Sequence, residues 1–179
     1  DRYFQAYTDL ITTVAPSVND GSAITQVDCY PMGRLPRMNL SVKLSALDPH
    51  FDPIDTEGVL ERVGGRFREL LRIAREHRAF INVDMESYEK KDLTLKVFKT
   101  ILFENEFVDT RDVGIVIQCY LKDSAHDFVS LRDWARQRGT PVWVRLVKGA
   151  YWEHETVLSQ SLGWPVPVYQ QKWQSDANY

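Results

Sequence analysis

Four polar side chains stand at or near the carboxyl ends of apolar, strand-like segments: Lys43, Asp84, Gln118 and Arg145. Charged groups among buried apolar residues are costly unless they are paired or bind a ligand. In parallel α/β folds the carboxyl ends of the strands meet at one edge, where active sites form. Two interpretations follow: structural ion pairs, such as Lys43 with Asp84, or a ring of ligand-binding groups. The shared position favours the ring.

The segment that contains Arg145 has further groups suited to an anionic ligand with a ring system. Lys148 follows closely, and Gly149-Ala150 leads directly into a helical pattern. Small residues allow a ligand to approach the backbone, and helix N-termini bind anions. The next pair, Tyr151-Trp152, offers flat faces for a ring. The stretch therefore predicts a site for a dinucleotide phosphate, although Trp152 alone is equally well explained as a core aromatic residue.

Four β-then-α units position these residues. The sequence predicts strands over 38–44, 80–83, 113–119 and 141–147, and helices over 55–77, 90–105, 124–138 and 151–162. Gly139 is placed to cap the third helix. The alternation indicates a parallel sheet, and the apolar strands without clean alternation indicate that both faces are covered.

An open doubly wound sheet and a closed (β/α)8 barrel both fit this alternation. No G-x-G-x-x-G turn follows the first strand, which weakens the dinucleotide-binding version of the doubly wound sheet. Gly64-Gly65 lies inside a helical pattern and has the wrong spacing.

An amphipathic helical pattern begins the chain over residues 3–14. Pro16 and the cluster at 19–22 are predicted to end this helix. Residues 17–37 are predicted to form an irregular connection. We therefore divide the chain into residues 1–37, an N-terminal helix and connection, and residues 38–179, a partial barrel.

The composition limits the classes of protein to which the chain can belong. With 179 residues, 44% of them hydrophobic and 26% charged, the chain suits one packed domain. The 25 acidic residues outnumber the 22 basic ones, which argues against a nucleic-acid partner. Cys29 and Cys119 lack metal-ligand spacing, so we predict two buried free thiols and no metal site. Because the chain begins with Asp1 rather than Met, we interpret it as part of a longer polypeptide.

The stretch Val144–Trp152 resembles the flavin-binding signature of proline dehydrogenases, especially those of the bifunctional proline utilization A type. The segments 41–47, 82–86 and 116–120 match the same family in the same order. The likeness extends over most of residues 38–179. It implies a distorted (β/α)8 barrel that binds FAD, of which this chain supplies a partial TIM-like barrel of about four consecutive βα units.

The resemblance implies FAD-dependent oxidation of L-proline to Δ1-pyrroline-5-carboxylate, with the electrons passed to a membrane quinone. It implies a cytoplasmic protein that associates peripherally with the inner face of the membrane. It also allows a fused aldehyde dehydrogenase module and a homo-oligomer, and no nucleic-acid partner is expected for this segment.

The same resemblance implies roles for individual residues. Asp84 and Arg145 are catalytic: Asp84 lies beside the substrate and orders Lys43, and Arg145 lies near the N5/N1 edge of the flavin. Lys43 holds the proline carboxylate and Tyr151 lines the proline pocket. The expected contacts to FAD, besides Arg145, are Met85, Gln118, Lys148, Gly149, Ala150, Trp152 and Lys172.

The sequence departs from the family pattern at Gln171, where an arginine is common. The first barrel strand of the family and the paired arginines of its carboxylate clamp have no counterpart in this chain, so the chain alone is expected to bind proline poorly. Two other functions stay open. One is a different TIM-barrel enzyme, such as an aldolase with Lys43 or Lys148 as Schiff-base nucleophile. The other is a non-catalytic barrel fragment.

Overall fold

The computed structural model describes residues 2–21, 24–30 and 33–179. An N-terminal part precedes four βα units and a last short helix. The elements are α1 (Arg2–Asn19), α2 (Thr25–Asp28), β1 (Cys29–Tyr30), β2 (Gly33–Arg34), β3 (Met38–Val42), α3 (Thr56–Glu76), β4 (Ala79–Val83), α4 (Tyr88–Leu102), β5 (Val113–Gln118), α5 (Ser124–Arg138), β6 (Trp143–Val147), α6 (Trp152–Leu162) and α7 (Lys172–Asn178). Single 3-10 turns lie at Leu44–Ala46 and Pro53–Asp55.

The central sheet has four parallel strands in the order β3-β4-β5-β6. Each strand is thus paired with the next one along the chain. A doubly wound sheet reverses its strand order at a switch point, whereas a barrel adds strands in one direction. The fold is α/β, a parallel sheet flanked by helices that corresponds to a partial TIM-like barrel, as predicted.

Two helix boundaries lie at the predicted signals. The carboxylate of Asp55 accepts a hydrogen bond from the backbone N–H of Gly58 at 3.1 Å and so caps the first turn of α3. Gly139 follows α5 with φ of 78°, the left-handed conformation of a helix C-cap. Both predictions are confirmed.

The prediction that both sheet faces are covered holds for β4 and β5, whose residues are all buried. It is wrong for β3 and β6. In β3, Asn39 and Ser41 are exposed, and in β6, Trp143 and Arg145 are exposed. These two strands are the edges of the described sheet, so the face opposite the helices stays open along them.

Helix α1 does not end at Pro16 but continues to Asn19, which corrects the prediction. Pro16 cannot donate a backbone hydrogen bond within the helix. The full burial of Ile11 and Ala15 in the core compensates for this loss. The Asn19 amide also donates hydrogen bonds to the carbonyl oxygens of His77 and Arg78, at 3.0 and 3.1 Å. Within the predicted terminating cluster, Ser22 lies outside the described residues.

The connection predicted over 17–37 is more ordered than expected. Besides the end of α1, it contains α2 and the antiparallel pair β1–β2. Arg37 Nη2 lies 2.7 Å from Asp28 Oδ2, and this hydrogen-bonded ion pair lowers the pKa of Asp28 to about 2. A division of the chain at residue 37 stays a prediction.

Both cysteines are free, but only Cys119 is buried; Cys29 is exposed, so that part of the prediction is wrong. Among the described residues, no group of three or more His, Cys, Asp or Glu side chains is arranged to hold a metal ion. None of the helices in residues 2–21, 24–30 and 33–179 has the length and hydropathy needed to cross a membrane.

Candidate functional site

The register of the parallel strands gathers the predicted residues on one face of the sheet. Ser41 lies opposite Asn82, and Val116 lies opposite Arg145. Successive side chains of a strand point to opposite faces, so the residues two positions beyond Ser41, Asn82 and Val116 lie on this same face. The side chains that meet at its carboxyl end are Lys43, Asp84, Gln118 and Arg145.

Asp84 is the centre of this group. Its Oδ2 atom lies 3.5 Å from Lys43 Nζ, and its Oδ1 atom accepts a hydrogen bond from Arg145 Nη2. Arg145 also donates to Ser41 Oγ at 3.3 Å. The side chains of Lys43 and Arg145 remain 47% and 48% exposed, against 20% for Asp84. The two cations are therefore paired through one carboxylate and still present surface to a ligand.

A cavity of about 330 Å³ opens at this end of the sheet. Nearly all of the predicted site residues contribute to its wall. The lining residues are Lys43, Asp84, Met85, Val116, Gln118, Arg145, Val147, Lys148, Gly149, Ala150 and Tyr151. A larger cavity of about 470 Å³ lies near the amino ends of β4 and β5 and contains none of the predicted residues. The predicted site residues therefore identify the smaller cavity as the candidate site.

The buried Gln118 amide is held by a residue that the sequence did not assign to a role. Gln118 Nε2 donates to the backbone carbonyl of Glu86 at 2.8 Å. The Glu86 carboxylate is itself buried and accepts a 2.6 Å hydrogen bond from Ser45 Oγ. Nothing in the spacing of these residues signals this contact, because it joins β5 to the loops after β3 and β4.

Gly149 allows the backbone after β6 to pass close to an aromatic ring. Its φ is 131°, and a Cβ atom at this position would lie 2.4 Å from Tyr120 Cδ1. The neighbouring Lys148 carbonyl accepts a hydrogen bond from the Tyr120 N–H at 2.7 Å. A larger residue would therefore displace either the Tyr120 ring or the backbone that lines the cavity.

Replacing Gly149 with alanine should lower the stability of the full-length protein by about 1–3 kcal/mol, through backbone strain and overpacking against Tyr120. Thermal unfolding of the two proteins measures this. The control is Gly65→Ala in α3, where a Cβ meets nothing within 4 Å and alanine suits a helix. Equal melting temperatures for Gly149→Ala and the wild type would contradict the account.

Trp152 and Lys172 do not line the cavity. The Trp152 indole donates to the carbonyl oxygen of Tyr169 at 2.8 Å. Lys172 Nζ donates to Asp176 Oδ2 at 2.5 Å, and the other oxygen of that carboxylate accepts from Lys148 Nζ. These hydrogen bonds raise the pKa of Lys148 and lower the pKa of Asp176. Lys172 is thus joined to the cavity wall through Asp176.

Helix α7, which contains Lys172 and Asp176, is absent from the sequence prediction. Its seven residues are mostly polar and show no apolar periodicity. Gln171, where the family arginine is common, instead forms a capping box with Gln174. The i, i+4 spacing of Lys172 and Asp176 is the one local signal that could have revealed their pairing.

Parallel βα units whose charged side chains share the carboxyl edge of the sheet define this chain as part of a barrel protein, with a cavity at the edge where barrel enzymes have their active sites. The sequence profile of the proline dehydrogenase family matches residues 1–179. The chain belongs to the proline dehydrogenase family.

Similar proteins agree with this assignment. The bifunctional protein PutA of Klebsiella aerogenes is 33% identical over 141 residues, which is 78% of this chain and 11% of that protein. A proline dehydrogenase of Deinococcus radiodurans is 35% identical over 112 residues, 63% of this chain and 30% of that protein. The crystal structure of proline utilization A from Bdellovibrio bacteriovorus inactivated by N-propargylglycine superimposes with a TM-score of 0.95 and 43% identity, covering 99% of this chain and 19% of that one. The chain thus spans less than a third of each of these proteins.

Proposed function

We propose that this chain carries part of the flavin and substrate sites of a proline dehydrogenase, which oxidises L-proline to Δ1-pyrroline-5-carboxylate and passes the electrons to a membrane quinone. The observation that supports this best is the placement of Asp84 between Lys43 and Arg145, beside the backbone of Lys148–Ala150. Family membership supplies the reaction, and the geometry supplies the groups that it needs.

The residues of the cavity fit FAD by their chemistry. Arg145 is a permanent cation, and a cation beside the flavin ring stabilises the negative charge that develops on reduction. Gln118 offers an amide, and Met85 offers an apolar surface. Lys148, Gly149 and Ala150 provide a cation and accessible backbone for the ribityl chain and phosphates. Bound FAD would supply the electron sink for hydride removal from proline.

Lys43, Asp84 and Tyr151 form the part of the cavity that suits the substrate. An ammonium group is a point charge for a carboxylate, so Lys43 is assigned to the carboxylate of proline. Asp84 holds Lys43 in place through its Oδ2 atom at 3.5 Å. The negative charge of Asp84 suits the ring-nitrogen side of the substrate. Tyr151 lines the same cavity and closes the pocket beside the ring.

The Bdellovibrio relative supports a substrate of this class. That enzyme was inactivated by N-propargylglycine. The compound shares with L-proline a carboxylate and a secondary amine, the two groups that this proposal assigns to Lys43 and Asp84. The relatives named PutA are described as bifunctional, which suggests a fused aldehyde dehydrogenase module here as well. We also propose a cytoplasmic location with peripheral attachment to the inner membrane face, where quinone is available.

A Schiff-base aldolase is the weaker candidate. A nucleophilic lysine needs a lowered pKa to be neutral at the pH of the reaction. The hydrogen bond that Lys148 donates to the Asp176 carboxylate instead raises the pKa of Lys148. Lys43 Nζ lies 3.5 Å from the Asp84 carboxylate, which engages its ammonium group in an ion pair.

The full-length protein should purify with a flavin absorption band that L-proline bleaches under anaerobic conditions and a soluble quinone restores. Spectrophotometric titration with each reagent tests cofactor, substrate and acceptor separately. A colourless protein that traps a carbonyl substrate on lysine with borohydride would support the aldolase instead. A colourless protein with no activity would support the non-catalytic fragment.

A further inference from the structure

Asp176 connects two lysines that come from different parts of the chain. Lys148 follows β6 and lines the cavity, and Lys172 begins α7 outside it. The two oxygens of the Asp176 carboxylate each accept a hydrogen bond from one ammonium group. The carboxylate therefore bridges both ammonium groups, one from the wall of the cavity and one from outside it.

The electrostatics of this cluster favour an anionic ligand. Two like charges a few ångströms apart repel each other, and an intervening carboxylate offsets that repulsion. With Asp176 in place, the cluster keeps one positive charge in excess. The side chains of Lys148 and Lys172 are 51% and 78% exposed, so both ammonium groups remain accessible.

The helix that carries Asp176 is anchored to the rest of the fold. Near the end of α7, the amide of Asn178 donates to the carbonyl oxygen of Cys119 at 2.8 Å and to Ser124 Oγ at 2.7 Å. These contacts anchor α7 to the segment between β5 and α5. The lysine pair consequently has a defined position relative to the strand ends that form the cavity.

We propose that Asp176 is a positioning residue that holds Lys148 and Lys172 together as a clamp for the diphosphate of the bound dinucleotide. The proposal rests on the proposed function and adds a residue for which neither the sequence pattern nor the family resemblance gave a role. Gln171 carries no charge and is engaged in capping α7, so these two lysines supply the cationic groups of the clamp.

Asp176→Asn should weaken FAD binding by about threefold to tenfold, because it removes the two exposed ion pairs that hold the lysines together, and exposed ion pairs have small effects. Riboflavin, which has no phosphate, should bind within about a factor of two of the wild type. Both dissociation constants are measured on the deflavinated full-length protein by isothermal titration calorimetry. Asp133→Asn, which removes an exposed carboxylate paired with Arg132 on α5, is the matched control and should change neither constant.

A second variant tests whether Asp176 positions the two lysines or only supports the local structure. In a Lys172→Gln protein, Asp176→Asn should weaken FAD binding less than it does alone, because the pair that it positions is already broken. Three results for Asp176→Asn would each overturn the clamp. They are equal losses of affinity for FAD and riboflavin, unchanged FAD binding, and tighter FAD binding. A wild-type protein that binds riboflavin but not FAD would overturn it as well. Failure to bind any flavin would refute the proposed function itself.

Discussion

Arg145→Met in the full-length protein should slow reduction of the flavin by L-proline by about 10²–10³-fold, the usual effect of removing one preorganised charge-stabilising group. Arg145 is held in place by Asp84 and by Ser41, and its side chain lies half-exposed at the cavity. Methionine keeps the unbranched stem and removes the charge. Anaerobic stopped-flow absorbance measures the reduction step directly.

The control for this substitution is Arg136→Met on α5. Arg136 is 71% exposed and its ion pair with Asp133 is long, at 3.5 Å. This variant removes an equal charge from the surface and should leave flavin reduction unchanged. If Arg145→Met retains both its FAD content and the wild-type reduction rate, the assignment of Arg145 is wrong.

The elements that could be predicted from the sequence are those whose signals are local. Asp55 begins α3 and Gly139 ends α5 because capping needs only neighbouring residues. The four largely apolar segments gave the strands β3 to β6, and burial on both faces accounts for this composition in β4 and β5. The predicted gathering of four polar side chains follows from the same segments, because the carboxyl ends of parallel strands lie at one edge of the sheet.

Tertiary contacts decided the elements that were missed. Helix α1 continues past Pro16 because its buried face and Asn19 are held by distant residues. Helix α7 is stabilised at its end by Asn178, which contacts residues more than fifty positions away. The ion pair between Asp28 and Arg37 orders a segment whose composition suggested an irregular connection. No local pattern encodes such contacts.

In the candidate site, too, some features follow from the sequence and others depend on tertiary contacts. The face on which Lys43, Asp84 and Arg145 lie follows from strand register, which the sequence constrains. Strand register does not predict that Lys43 and Arg145 share the Asp84 carboxylate. The hydrogen bonds of long side chains depend on all of the surrounding groups together. The charges form the ion pairs of the first interpretation, and the same side chains line a cavity. That they bind a ligand stays a prediction.

Lys43→Ala should raise the KM for L-proline by roughly tenfold to a hundredfold, since a hydrogen bond to a charged group contributes about 1.5–3 kcal/mol. Lys43 Nζ is 3.5 Å from Asp84, a long contact that leaves the ammonium group available to the substrate carboxylate. Asp84 keeps its hydrogen bonds from Arg145 and Asn82 in this variant. FAD content should therefore stay near that of the wild type.

A ligand without the carboxylate separates the role of Lys43 from general damage to the pocket. Pyrrolidine keeps the ring and the nitrogen, so its inhibition constant should be nearly the same in Lys43→Ala and in the wild type. Lys96→Ala, an exposed lysine on α4 away from the cavity, is the matched control and should leave the KM unchanged. The role of Lys43 is wrong if its KM for proline is unaltered. It is also wrong if pyrrolidine and proline are weakened equally, because the lysine would then be supporting the shape of the pocket instead of binding the carboxylate.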